Sequence, residues 1–111
     1  MLFRISRVVL KLPAALAPVK CAVMPLVKKD GLPEKAQEIV GTLRREMMVQ
    51  YDEKDAIGRR YRRQDAIGTP FCVTIDSETL ADSAVTVRHR DTMQQQRVPI
   101  DQLNSYLKSQ L

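Results

Sequence analysis

The chain has 111 residues, of which 44% are apolar and 28% are charged; this supports one domain with one core and argues against wholesale disorder. The formal net charge is +5, from 18 Lys and Arg against 13 Asp and Glu, and a concentrated excess of this sign favours an anionic partner. No stretch approaches the roughly 20 apolar residues of a membrane span, and Lys11 and Lys20 interrupt the apolar N-terminal region, so we expect no membrane contact and a cytoplasmic location.

The chain is predicted to begin with a segment that does not belong to the folded domain. Residues 1–18 include Pro13 and Pro18, which disfavour helix at the preceding positions, so an irregular or extended lead-in is expected there. A single domain is expected over 19–111. It would begin with the apolar run 19–27 (VKCAVMPLV), which is typical of a short strand buried on both faces.

Two helices and a short strand are predicted next. A helix should begin at Pro33 and extend to about Met47, and a strand should follow over 48–51. Asp52 and Asp55 are then placed to cap a second helix over 56–65. The inward face of the first helix is predicted to consist of Ala36, Ile39, Val40 and Leu43. Ile57 and Tyr61 should face inward from the second helix.

The rest of the chain alternates between short strands and connections. The β-branched run 71–75 (FCVTI) predicts a strand, 76–83 a polar connection, 84–90 a strand and 94–98 a final strand. Asp101 should cap a last helix, whose core-facing residues would be Leu103, Tyr106 and Leu107. The order β-α-β-α-β-β-β-α predicts an α/β fold, with a mixed five-stranded sheet and helices on its faces.

The sequence offers little support for catalysis or for a metal. His89 is the only histidine, and Cys21 and Cys72 lie in separate apolar runs without CxxC spacing. We therefore expect no metal site and two buried free thiols in a reducing compartment. There is no phosphate loop and no motif that places a base beside a nucleophile. The acidic residues at 52, 53 and 55 are better explained by a helix start than by metal ligands.

Two groups of arginines are the strongest functional signal. Arg59, Arg60, Arg62 and Arg63 fall within five positions with no acid among them. Guanidinium groups bind phosphate and stack on bases, so a helix with three of them on one side would suit nucleic acid. The alternative is a solvated helix face.

Arginines also occur on one face of the strand over 84–90. Its alternation should place Thr86, Arg88 and Arg90 on a solvated face of the sheet, with Glu78 in a nearby loop. Such a face could read bases, and the alternative is ordinary exposure to solvent.

Three segments carry a resemblance to a known family. The first two, GRRYRRQDAIGTPFCVTID and VTVRHRDTMQQQRVPIDQL, resemble the glycyl-tRNA synthetase version of the class II anticodon-binding domain. The third, LKLPAALAPVKCAVMPLV, resembles the segment that joins the catalytic domain to it, which implies that residues 1–18 are a linker from a catalytic domain. The first is close to that family's pattern IGxRYRRxDEIGTPFxVTxD, from which it departs at Ala66, where the family usually has Glu. Together the three segments cover nearly all of residues 9–107.

The resemblance implies a fold and a partner. The fold would have three α/β/α layers, three main helices and strand order 2-1-3-4-5 with strand 4 antiparallel. The partner would be the anticodon stem-loop of glycine tRNA. The motifs that bind ATP and glycine are not found in this sequence, so the chain alone should bind no cofactor and should not aminoacylate. A longer parent would be an ATP-dependent glycine–tRNA ligase, expected to be a homodimer.

The resemblance also suggests residues for recognition. Every glycine anticodon ends in two cytosines, and a cytosine edge combines an amino donor with acceptors. In the related threonyl enzymes, a strand-4 arginine and an acid in the preceding loop contact an anticodon base, and the matching positions here are Arg88 and Glu78. Further candidates for RNA binding are Arg59, Arg62 and Arg63, which would contact phosphate, and Arg90.

This hypothesis requires the guanidinium groups at 59, 62, 63 and 88 to share a side, and it fails if they are scattered over unrelated sides or held in internal ion pairs. Two alternative functions stay open at this point. One is a stand-alone accessory or protein-interaction module that reuses the same fold, and the other is a small enzyme.

Overall fold

The architecture is that of a central sheet between two layers of helices. A computed structural model describes residues 2–4, 9–11 and 19–110. The strands of the sheet are β1 (Cys21–Pro25), β2 (Val49–Tyr51), β3 (Phe71–Ile75), β4 (Ala84–His89) and β5 (Gln95–Pro99). The helices are α1 (Leu32–Leu43), α2 (Ile57–Ala66), the single turn α3 (Thr79–Asp82) and α4 (Ile100–Gln110).

The strand order is β2-β1-β3-β4-β5. β1 is parallel to both β2 and β3, whereas β4 is antiparallel to β3 and to β5. The parallel neighbours are joined through α1 and α2, as crossover connections require, and the antiparallel strands are joined by short connections. This confirms the predicted strand order and the antiparallel strand 4.

The two faces of the sheet carry different helices. On one face α1 and α4 cover the main core, to which α1 contributes Ala36, Ile39, Val40 and Leu43 and α4 contributes Leu103 and Leu107. On the other face Ile57 and Tyr61 of α2 pack against Ala22, Met24 and Cys72. The three-layer arrangement and the predicted inward faces of the helices are therefore confirmed.

Burial of the central strands explains why they read as unbroken apolar runs. Every residue of β1 and β3 is buried, because helices cover both of their faces. Cys21 and Cys72 are free and buried, as predicted. Their side chains belong to opposite faces of the sheet. Burial is the main cause that raises the pKa of both thiols, that of Cys72 to about 12.

The structure differs from the predictions at several element ends. Two short strands, Leu2–Arg4 and Val9–Lys11, form an antiparallel pair within the segment predicted as a lead-in, and the rest of that segment lies outside the described residues. α1 ends at Leu43, four residues earlier than expected. α4 begins at Ile100, so Asp101 lies in its first turn and the prediction that it caps the helix was wrong.

Candidate RNA-binding surface

Helix α2 presents two of its arginines to solvent. Ile57 and Tyr61 point towards the sheet, and the helical period of 3.6 residues then directs positions 59 and 62 away from it. Arg59 and Arg62 are both exposed. Neither forms a side-chain hydrogen bond or ion pair with any residue in 19–110. The requirement that four arginines be free of internal ion pairs is thus met by these two, whereas Arg63 and Arg88 are held in internal ion pairs and do not meet it.

Arg60 has a structural role that sequence reasoning missed. Its side chain is buried and donates hydrogen bonds to the carbonyl oxygens of Pro25, Leu26 (3.0 Å) and Asp52 (3.3 Å). It therefore attaches α2 to the carboxyl end of β1. The signal was its position three residues after the inward-facing Ile57, which places it on the buried side of the helix.

Arg63 is held by the two aspartates that precede α2. Its guanidinium donates to Asp52 (2.8 and 2.7 Å) and to Asp55 (2.6 Å). The prediction that these aspartates cap α2 was wrong, because the N-cap is Ala56, which makes no side-chain capping bond, and both carboxylates turn to Arg63 instead. Burial alone would raise the pKa of Asp52, but hydrogen bonds from Arg63, Gln64 and a backbone N–H lower it below its usual range.

Arg88 lies in a covered part of the sheet. It is only 6% exposed, donates to both carboxylate oxygens of Asp65 at 3.0 and 3.1 Å and lies 4.7 Å from the centre of the Tyr61 ring. The prediction of a solvated face was wrong here, because Tyr61 and Asp65 of α2 cover this end of β4. The bonds from Arg88 to Asp65 are the main cause that raises the pKa of Arg88.

Arg90 is also buried, at 8% exposure, although the strand pattern placed it on a solvated face. β4 ends at His89, so Arg90 lies beyond the strand. Its side chain donates to the carbonyl of Gly68 (2.6 Å) and to Asp91 (2.9 Å). These bonds connect the turn after α2 to the turn between β4 and β5.

The structure does not bring Glu78 and Arg88 together. Arg88 lies opposite Cys72 near the start of β3, whereas Glu78 is exposed and follows the end of that strand at Ile75. At about 3.3 Å per residue, the three steps from Cys72 to Ile75 span roughly 10 Å. Among residues 19–110 no hydrogen bond or ion pair joins the two side chains, and their reading of one cytosine as a pair stays a prediction.

Arg97 is a second residue that sequence reasoning missed. It lies opposite Thr86 on β5 and donates to its hydroxyl (3.1 Å), to Asp76 (3.0 and 3.2 Å) and to Asp82 (3.1 and 3.2 Å). The two aspartates stand at either end of the connection that carries Glu78, so Arg97 fixes that connection. The signal in the sequence was the alternation along the strand, which places Arg97 on the same face of the sheet as Gln95, two residues before it.

These residues border a surface that we call the β4–β5 groove. α2 lies over β1 and β3, where Tyr61 bonds to Thr74 at 2.7 Å, and Thr86 and Arg97 beyond it are partly exposed. Arg62 lies on the same side of α2 as Asp65, one turn apart. The name stands for the part of the sheet face beside α2 that carries Thr86, Arg88, Gln95 and Arg97, together with Arg62 and Asp65 of α2.

Comparison with known proteins identifies the domain. The family model described as anticodon binding domain matches residues 20–110. The chain belongs to the anticodon binding domain family. The RNA binding domain of threonyl-tRNA synthetase from Cryptosporidium parvum Iowa II is similar to this anticodon binding domain, with a TM-score of 0.79 and 28% identity over 90% of this chain and 25% of that one.

Curated relatives refine the comparison. A glycine–tRNA ligase of Corynebacterium efficiens is 62% identical to this anticodon binding domain over 106 residues, which are 96% of this chain and 23% of that protein. A glycine–tRNA ligase of Rhodopirellula baltica is 56% identical over 106 residues, 20% of its length. The resemblance to the glycyl-tRNA synthetase version of the domain is confirmed, and the chain spans about a quarter or less of these relatives.

Two further observations describe what this anticodon binding domain contains. Within the described residues no three His, Cys, Asp or Glu side chains come together as a metal site. None of the helices there is both long and apolar enough to traverse a lipid bilayer.

Proposed function

We propose that this domain binds the anticodon stem-loop of glycine tRNA and reads its two cytosines. The observation that carries the proposal is the 62% identity to a glycine–tRNA ligase over 96% of the chain. The domain would serve a longer, homodimeric glycine–tRNA ligase, in which another domain would bind ATP and glycine. The domain itself would take no cofactor.

Arg59 and Arg62 are proposed to contact the RNA backbone. Both are exposed on the outer side of α2 and free of acidic partners in 19–110. Guanidinium groups bind phosphate oxygens with paired hydrogen bonds, at no cost of breaking an internal ion pair. Arg63 and Arg90, which are held within the fold, are proposed to position this surface without being its main cations.

The first cytosine is assigned to Arg88 and Asp65. A guanidinium has five N–H donors, and the bonds to Asp65 occupy two of them. The Asp65 side chain is 21% exposed, so its carboxylate can accept a hydrogen bond from the cytosine amino group. The pair thus presents an acceptor beside a donor, which matches the amino group and the acceptors on the cytosine edge.

The second cytosine is assigned to Glu78 at the other end of the groove. Its carboxylate is exposed, and the residues that flank it, Asp76 and Asp82, are both fixed by Arg97. An exposed carboxylate on a fixed loop can accept the amino hydrogen of a splayed base. Arg88 lies opposite Cys72 near the start of β3, and Glu78 follows the end of that strand, so we assign the two side chains to two different bases.

The test is binding of the whole chain to glycine anticodon stem-loops by fluorescence anisotropy. Replacement of either cytosine by uridine turns an amino donor into a carbonyl acceptor, and we expect a loss of roughly 1–3 kcal/mol of binding free energy. Glu78→Gln should reduce discrimination at one of the two positions, and Glu38→Gln, on the exposed side of α1, is the control. Equal affinity for the cytosine and uridine loops would refute the proposal.

The salt dependence tests the phosphate contacts separately. For single strands, log affinity should fall against log salt by about 0.7 for each phosphate neutralised. Arg62→Ala should reduce that slope, whereas Arg45→Ala removes an equally exposed charge from the opposite side of the sheet and should not. A flat salt response of the unmodified chain would exclude the phosphate role.

A further inference from the structure

The turn between β4 and β5 holds a methionine in a backbone conformation that methionine disfavours. Met93 has φ 58°, in the left-handed region that is uncommon outside glycine, asparagine and aspartate. The other non-glycine residues with positive φ in the described chain are Asp30, Asp55 and Ser83, all polar residues common in turns. An unfavourable conformation of this kind persists only where the surroundings impose it.

The turn is closed by backbone hydrogen bonds, and its methionine is exposed. The Met93 N–H donates to the His89 carbonyl (2.8 Å) and the His89 N–H donates to the Gln94 carbonyl (2.9 Å). The hydroxyl of Thr92 accepts a further bond from the backbone. These bonds fix the backbone of Met93, whose side chain is 65% exposed. A single exposed apolar residue needs no explanation by itself, but one presented on a strained, hydrogen-bonded turn does.

The position of the turn links Met93 to the groove. Gln95 lies opposite Arg88, the partner of Asp65. Met93 precedes Gln95 by two residues, so its turn lies next to this end of the groove. The exposed Ile67 follows Asp65 by two residues, and Arg90 ties its turn to the β4–β5 turn through the Gly68 carbonyl. Ile67 and Met93 are therefore exposed apolar residues in two turns that Arg90 connects, and we call these two residues the apolar rim.

RNA bases that leave the helix stack need an apolar or planar surface to replace their neighbours. Aromatic rings commonly supply it, but the tyrosines in residues 19–110 are only partly exposed, and Tyr61 already packs against Arg88. A thioether side chain is flexible and polarisable, and it makes favourable contacts with π systems. The apolar rim is an exposed apolar surface near the Arg88–Asp65 pair.

We propose that the Met93 side chain is a stacking platform for an unpaired base of the anticodon loop, adjacent to the cytosine at Arg88 and Asp65. The inference rests on the proposed function, because it places the same RNA in the same groove. The platform contacts the face of a base, so it adds affinity without reading the identity of that base.

The test is Met93→Asn in the whole chain, measured with glycine anticodon stem-loops. Asparagine tolerates the left-handed conformation, so the melting temperature should stay the same or rise, while the Kd should increase by about fivefold or more, as loss of base stacking predicts. Met48→Asn is the control. Met48 is 64% exposed and precedes β2, at the edge of the sheet opposite β5, so this change should leave the Kd unchanged. A Met93→Asn Kd within twofold of the unmodified value, or an equal loss in Met48→Asn, overturns the proposal.

Direct evidence comes from 2-aminopurine placed in turn at each unpaired loop position. At one position the fluorescence emission should change when the RNA binds the unmodified chain, and this change should be absent with Met93→Asn. If Met93→Asn folds poorly, Met93→Gly is used in its place, because glycine also tolerates the left-handed backbone. A chain that prefers cytosine loops but shows no such position contradicts the stacking platform alone. A chain without cytosine preference contradicts the proposed function itself.

Discussion

Removal of Asp65 should destabilise the fold because it leaves a buried guanidinium without its partner. Arg88 is 6% exposed, and both of its bonds to Asp65 are of normal length. Breaking a buried pair by removing one partner costs roughly 3–5 kcal/mol. Asp65 is partly exposed, and the Tyr61 ring stays beneath Arg88, so Asp65→Ala should cost about 2–4 kcal/mol. That is a large part of the roughly 5–15 kcal/mol typical of a domain.

Urea unfolding followed by circular dichroism measures this loss. The midpoint should fall at an unchanged m-value. Glu38→Ala is the matched control, since it removes a helical carboxylate from an exposed pair with Lys35 and should change stability by less than about 1 kcal/mol. The double variant with Arg88→Met should lose less than the sum of the single variants. Additive losses, or an Asp65→Ala loss no larger than the control, would show that the pair does not matter.

Three other properties should follow from the same structure. Folding lowers the pKa of the carboxyl groups of Asp52, Asp76 and Asp82. As the pH falls, the unfolded chain therefore binds protons before the folded chain does, so the free energy of unfolding should be constant above about pH 5 and decline below about pH 4. A urea midpoint that does not change between about pH 5 and about pH 3 would contradict this. The buried Cys72 thiol, with its pKa raised to about 12, should react with a thiol reagent only as fast as the chain opens, so labelling in native buffer at the rate of a free thiol would refute its burial. Gly58→Ala should raise the free energy of unfolding by about 0.4–1 kcal/mol, since no described atom outside its chain neighbours and its own helix backbone lies within 4 Å of the added Cβ; a urea midpoint below that of the parent would refute this.

The sheet could be predicted because its signals are local. A strand covered on both faces must be apolar throughout, and 21–25 and 71–75 have that pattern. An amphipathic helix repeats its apolar residues every three or four positions, as α1 does. The end of α1 could not be placed in the same way, since residues 44–47 are also compatible with helix, and the pairing of 2–4 with 9–11 has no strong turn signal.

The candidate site was harder to predict because its ion pairs join distant parts of the chain. Arg63 pairs across 11 residues, Arg97 across 21 and Arg88 across 23. The sequence around 59–63 has no acid within it, and that absence predicted a continuous cationic stripe. The acids that bind Arg63 come from the segment before α2. Asp65, which lies in α2 itself, binds Arg88 of β4. Only the packed fold reveals these partners.

The ion pairs of Arg63 and Arg88 contradict the requirement drawn from the sequence, but that requirement was too strict, because an arginine that is already ordered can still use its remaining donors. An arginine that is free in solution loses side-chain entropy when it binds, at a cost of about 0.5–1.5 kcal/mol. Arg88 is already ordered by Asp65 and Tyr61, so this cost is met during folding. What decides its role is whether its remaining donors and the exposed edge of Asp65 face the base. The uridine substitutions address that question directly, whereas the Asp65→Ala experiment measures only what the pair contributes to the fold.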